Sequence, residues 1–419
     1  MNILLKSATI VDGANKNLHL KKRDILIQNG TISKIASTID APSNTKEVQL
    51  KNLHVSMGWF DSSISFGEPG FEERETIANG LLTAAKGGFT DIVLNPSSTP
   101  VPDSSSDIVF LKNTAQNQGV NLYPLGCLTN GAKGESLAEL LDMKNSGAVG
   151  FYDAKKAITN PNLLKIALQY TESFGGLVYS FPLDTKIAGK GQVNEGPVST
   201  RLGLKGIPAL AEELQIVRDL FILEYAGGSL HIPTISTAKS VKLIAEAKKK
   251  GLNVSCSVAI HNLTFSDAVL QDFDTNYKVL PPLRTSKDIK ALIKGVKDNV
   301  IDYVTSDHTP VNIEQKNVEF DNAAYGTIGL ESAFGALHSI FDLEKTISLL
   351  TKGTERYGIE KPELKEGSKA SITLFNPEEK HTFKIEDSVS TSKNTAFIGA
   401  ELKGKVYGVI NEKSMTLNQ

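Results

Sequence analysis

Residues 211–260 read AEELQIVRDLFILEYAGGSLHIPTISTAKSVKLIAEAKKKGLNVSCSVAI. Two apolar runs in it, 229–235 and 253–260, each follow a stretch with apolar residues at helical spacing, 211–225 and 238–249. Gly227-Gly228 and Gly251 sit where helix C-caps belong, because the residue past a last turn often adopts the left-handed conformation that glycine takes without steric cost. Strands joined through a helix lie parallel in one sheet. The stretch is therefore a succession of βα steps, and the fold depends on how many the chain contains.

Working outward, further short apolar runs lie at 55–61, 89–95, 121–128, 149–153, 177–181 and 302–306. Helical patterns at 135–144, 161–173 and 287–296 and glycine stops at Gly87-Gly88 and Gly175-Gly176 separate them. That makes eight strands, the number that closes a (β/α)8 TIM barrel; an open doubly wound sheet is the alternative. The ends differ. Residues 2–10, then 24–27 and 32–35 around Asn29-Gly30, read as short strands, and Asn-Gly is the strongest short hairpin signal. Segments 370–375, 396–402 and 405–411 are of the same kind. The expectation is an α/β chain with a barrel over 54–366 and a small composite β-sandwich domain built from 1–53 and 367–419.

Composition narrows the function. Forty-five basic residues against 47 acidic ones in 419 give a net charge of −2, which argues against nucleic acid or an anionic membrane surface as partner. Two cysteines, Cys127 and Cys256, cannot build a disulfide framework, and no leader or run of about 18 apolar residues stands out. A cytoplasmic protein that does not bind membranes is expected.

Barrel chemistry sits where strands end. The first strand ends in Asp61-Ser62-Ser63-Ile64-Ser65-Phe66-Gly67-Glu68-Pro69-Gly70 and the second in Asn95-Pro96-Ser97. Asp153 closes the fourth, Phe181 the fifth, and Thr234 lies at the end of the sixth. His261 lies at the seventh and Asp307-His308 at the eighth. In order along the chain, Met57-Gly58-Trp59-Phe60-Asp61, Gly147-Ala148-Val149-Gly150-Phe151, Pro281-Pro282-Leu283-Arg284, Ser306-Asp307-His308-Thr309-Pro310 and Gly329-Leu330-Glu331 resemble the dihydroorotases of the cyclic amidohydrolase superfamily. The resemblance spans nearly the whole chain and implies the same barrel with a β-sandwich from both termini.

It also implies reversible ring closure of carbamoyl-aspartate, with one or two Zn²⁺ ions held mostly by histidines and an aspartate on the last strand moving the proton. This chain departs from that pattern. The paired first-strand histidines fall on Ser63 and Ser65, and the substrate-binding arginine falls on Gly67. An asparagine falls on Ser97 and another on Leu280, while the later histidines fall on Phe181 and Thr234. Asp153, Asp307 and His308 keep their types.

Neutral hydroxyls are poor zinc ligands and Phe181 is none, so no metal cofactor is expected. Two carboxylates, Asp153 and Asp307, would suit Mg²⁺ or Mn²⁺ only weakly. Asp307 then either bonds loop backbone or remains an idle base. Asp153 either pairs with Lys155, caps the next helix or anchors a charge. His308 and His231 read as structural, and His261 is the one unplaced imidazole at a strand end. Three functions follow from the resemblance. The first is a non-catalytic homologue in pyrimidine biosynthesis that acts as structural partner of aspartate transcarbamoylase, and this chain is expected to be a homo-oligomer. The second is an active cyclic amidohydrolase with an altered metal centre. The third is a module that binds a ureido or dihydropyrimidine ligand.

Overall fold

The computed structural model describes residues 2–360 and 363–418. Seven strands, Trp59–Ile64, Phe89–Leu94, Asn121–Pro124, Leu177–Tyr179, Ser229–Ile232, Val254–Ala259 and Tyr303–Thr305, run parallel in chain order. The fourth strand is reduced to Phe151, which bridges Gly126 on one side and Val178 on the other. Side chains close the circle from last strand to first. Thr305 Oγ1 donates to the Ser63 carbonyl at 2.9 Å, and Ser306 N–H donates to Asp61 Oδ2 at 2.9 Å. The sheet is a closed barrel, not an open one.

The run expected as one strand at 55–61 is divided. His54–Met57 pairs with Asn2–Ile10 and with Ser371–Thr382, and the barrel strand begins at Trp59. Gly58 is the crossing point, where a Cβ would lie 2.0 Å from Thr90 Oγ1. The terminal sheet therefore reaches past residue 53. Its strand order is Ser414–Leu417, Glu401–Asn411, Ser371–Thr382, His54–Met57, Asn2–Ile10, Lys22–Gln28, Thr31–Ala36, with Thr45–Val48 also on Asn2–Ile10. The hairpin turn has both Asn29 (φ +51°) and Gly30 (φ +83°) in the left-handed region that a two-residue turn of this twist needs.

Two local expectations fail. The helix expected at 135–144 is Leu140–Ser146, because the residues before it pair with a loop: Leu137 bridges Thr129, and Ala138 N–H donates to the Leu128 carbonyl. The segments 396–402 and 405–411 are not two strands. One strand, Glu401–Asn411, covers the second, while Ala396 and Phe397 are buried in an irregular stretch anchored by Ala396 N–H on Thr327 Oγ1.

Trp59 joins the two domains, with Phe334 at 4.9 Å and Phe375 of the terminal sheet at 5.7 Å between ring centres. Such buried rings each contribute about 1.5–3 kcal/mol by leaving water. No described helix is long and apolar enough to cross a membrane.

Candidate active site at the barrel mouth

The floor of the mouth is apolar and aromatic. Tyr152 lies 5.2 Å from Tyr179, which lies 4.6 Å from His231, which lies 5.6 Å from Tyr303. His231 sits inside this layer, its ring nitrogens 2.9 and 3.2 Å from the Ser255 and Ser257 hydroxyls. Burial holds its pKa well below the ordinary range, so it is a neutral, packed ring away from the mouth.

Above that layer the strand ends converge. Asp307, at φ +49°, accepts a 2.6 Å hydrogen bond on Oδ2 from Lys155 Nζ. His261 Nε2 lies 3.9 Å from the same oxygen. Burial pushes the Asp307 carboxyl up; Lys155 opposes that push and nearby Asp61 adds to it. Burial pushes His261 down to about 3, with Lys155 and Lys316 adding to the effect. The ring is therefore neutral. Asp307 Oδ1, both His261 nitrogens and Thr234 Oγ1 have no hydrogen-bond partner. Asp307, His261, Thr234 and Phe181 are at most 2% exposed, whereas the Lys155 side chain is 22% exposed. Lysine is thus the only member of this group that reaches solvent.

On the first-strand side, Asn95 Nδ2 donates to both Ser63 Oγ (3.1 Å) and Ser65 Oγ (3.3 Å). Three neutral groups satisfy one another at the place the family resemblance assigns to two histidines. Ser97 makes only a 3.5 Å contact from Oγ to the Phe66 carbonyl. A Cβ on Gly67 would lie 1.8 Å from the Phe71 carbonyl oxygen, so the loop as folded has no room for an arginine there. Leu280 packs with Phe181 and Tyr179 in one apolar cluster.

Asp153 neither pairs with Lys155 nor caps the next helix. Its Oδ1 accepts from Leu128 N–H (2.9 Å) and Thr129 N–H (3.0 Å), and its Oδ2 from Thr129 Oγ1 (2.5 Å). It anchors the loop after the third strand. Asp153 and Asp307 are thus committed to different neighbours and do not form the oxygen-rich cation site their types suggested. His308 also turns from the mouth: its Nδ1 accepts from Gly329 N–H at 3.3 Å and its Nε2 lies 3.7 Å from buried Glu75.

The other motif residues are explained by structure. Arg284 donates to Asn194 Oδ1 (2.9 Å), the Ile207 carbonyl (2.7 Å) and Ser236 Oγ (3.1 Å), beside Glu212. Glu331 accepts from Ser388 Oγ and Val389 N–H at 2.9 Å. Sequence reasoning missed Asn95 and Lys155 as members of the site. Asn95 carried a signal, its place at a strand end; Lys155 carried none, since its partner is 152 residues away.

Zinc generally needs three or four protein ligands. Among the described residues, no group of three or more His, Cys, Asp or Glu side chains is placed to hold a metal ion. The donor set does not fit the metal centre that the family resemblance implies, and an ammonium group occupies the aspartate oxygen nearest His261.

A closed parallel barrel with its polar mouth at the strand C-termini, joined to a sheet from both termini, defines a protein of the amidohydrolase architecture. An L-hydantoinase (dihydropyrimidinase) from Arthrobacter aurescens superimposes with a TM-score of 0.85 over 99% of this chain and 96% of its own, at 19% identity. A dihydropyrimidinase from Brevibacillus agri does so with a TM-score of 0.83 over 100% and 95%, at 21% identity. These likenesses concern the fold. Within that architecture, the chain belongs to the dihydroorotase family. The family model described as dihydro-orotase-like matches residues 54–240. A dihydroorotase of Geobacter sp. (strain M21) is 36% identical over 98% of both chains, and one of Pelotomaculum thermopropionicum is 37% identical over 98% of this chain and 97% of its own.

Proposed function

We propose that this chain is a non-catalytic dihydroorotase homologue of cytoplasmic pyrimidine biosynthesis, acting as a structural partner of aspartate transcarbamoylase. One observation carries the non-catalytic reading: the Lys155 ammonium is seated at 2.6 Å on Asp307, the aspartate that would otherwise serve as proton carrier. Amide hydrolysis needs a group that activates water and one that stabilises the oxyanion. The strand ends supply Ser63, Ser65, Thr234 and Phe181 in place of ligands, and Asp307 is closed from solvent. The partner is carried over from the family resemblance, and the intact scaffold around an altered mouth is what such a role requires.

Full-length similarity to proteins named dihydroorotase favours a second reading, an active amidohydrolase with an altered centre. Two measurements separate them. Purified protein, after growth with zinc and manganese, is assayed for metal content and for turnover of dihydroorotate and carbamoyl-aspartate. Below about a tenth of an equivalent of metal with no turnover supports the proposal, since a catalytic zinc is held by three protein ligands. Stoichiometric metal with turnover replaces it by the second reading. Co-purification with aspartate transcarbamoylase tests the partner, and failure to recover that enzyme removes this part.

A further inference from the structure

The loops after the fifth, seventh and eighth barrel strands meet at the strand C-termini, and two lysines buried among them tie them together. Lys316 Nζ donates to the carbonyls of Gly326 (2.8 Å), Ala324 (3.0 Å) and Lys278 (3.2 Å). Lys278 Nζ donates to the Phe320 (2.6 Å) and Asp321 (3.1 Å) carbonyls, with Gln192 Oε1 at 3.4 Å. Tyr325 Oη donates to the Gly191 carbonyl at 3.3 Å, and Gln192 Nε2 to the Asp321 carbonyl at 3.2 Å. Every hydrogen-bond partner of the Lys316 ammonium is thus a neutral carbonyl, and a buried charge without a counter-charge is costly.

We propose that these loops form a pH-sensitive cover over the mouth: closing expels a proton from Lys316, so the cover opens more readily as pH falls from alkaline towards neutral. The inference is independent of whether the barrel is catalytic.

The surroundings of Lys316 single it out. Burial pushes its amine down to about 7; the charges of Lys278 and Lys155 add to that push, and Asp274 opposes it. Its own segment contributes only Glu314 and Glu319, both exposed. Burial lowers Lys278 too, but Asp321 opposes this, and the Phe320 and Tyr325 rings each face its ammonium at 5.3 Å. Burial keeps nearby His261 neutral and raises the Tyr277 and Tyr325 phenols, that of Tyr325 to about 12. In an open cover Lys316 meets water and titrates at its ordinary 10.5. Between about 7 and 10.5 the open state therefore holds a proton that the closed state lacks, and opening falls about tenfold for each unit rise in pH. Below 7 both states are protonated and the dependence ends.

The test is amide hydrogen exchange of the full chain between about pH 7.5 and pH 9. Exchange is catalysed by hydroxide, so amides of the helix Ala238–Lys249, outside the cover, speed up in proportion to it. Gly326 N–H, which donates to the Lys278 carbonyl at 3.0 Å, is expected to exchange at a constant rate, because opening falls as hydroxide rises. Lys316→Met is expected to restore the rise. A rise at Gly326 in the unmodified chain overturns the inference. So does a constant rate that persists in Lys316→Met, since slow reclosing gives that profile without the lysine. A second measurement needs no variant: in spectra of the chain carrying carbon-13-labelled lysine, one side chain is expected to titrate near 7. Titration of every lysine above about 9 overturns the inference.

Discussion

Lys155 and Asp307, 152 residues apart in sequence, meet at 2.6 Å in the barrel mouth, where the lysine keeps a path to water and the aspartate has none. A cation at this point neutralises a buried carboxylate, and here the chain supplies its own.

The two partners are not equivalent on removal. Lys155→Met leaves Asp307 enclosed without its counter-charge, and breaking a buried pair this way costs about 3–5 kcal/mol, so with Lys155 partly exposed about 2–3 kcal/mol is expected. Asp307→Asn costs less, under about 1 kcal/mol, because the long lysine stem lets its ammonium turn to water. Urea denaturation of both variants at pH 7 checks this. Equal losses would mean that the pair is not buried as described.

His261 makes stability depend on pH. Its folded-state pKa is pushed down to about 3, whereas an unfolded histidine titrates near 6.5. The contribution is present above 6.5 and is lost as pH falls below it, because the unfolded chain binds the proton first. Wild type is expected to lose about 2 kcal/mol more than His261→Leu between pH 7 and pH 5. The comparison with the variant cancels other groups. Parallel stability curves would refute the assignment.

Chelation tests the donor set. A metal bound at 1,000 times its Kd would add about 4 kcal/mol of stability. With no three-ligand group among the described residues, overnight dialysis against a strong chelator is expected to leave the Tm unchanged. A fall of several degrees, restored by zinc, would show a metal site the side-chain positions do not reveal.

Gly67 sets a limit on restoring the family's arginine. A Cβ there meets the Phe71 carbonyl oxygen at 1.8 Å, a clash with backbone that side-chain rotation cannot relieve. Gly67→Ala is expected to cost about 1–3 kcal/mol, the usual range for overpacking. Its urea midpoint is the measurement. A neutral outcome would show that the loop shifts readily and could readmit a side chain.

Local patterns in the sequence were enough for the barrel and for the composition of its mouth. Eight apolar runs, helix periods between them and glycines at the helix ends specify parallel βα steps, because each signal acts within a few residues. At the positions the family resemblance gives to zinc-binding histidines, Ser63, Ser65, Phe181 and Thr234 could likewise be read as poor ligands from their chemistry, and Gly67 as no substitute for the substrate-binding arginine. The crossing at Gly58, the short helix Leu140–Ser146 and the partners of Asp153 and Asp307 could not. Each depends on which distant group completes a hydrogen bond or charge pair. Asp153 had Lys155 two residues away, yet its oxygens go to the Leu128 and Thr129 N–H groups, and Lys155 crosses the mouth to Asp307. Burial makes every unpaired polar group costly, so the final pairing is decided by which groups the closed barrel brings together, and that information exists only in three dimensions.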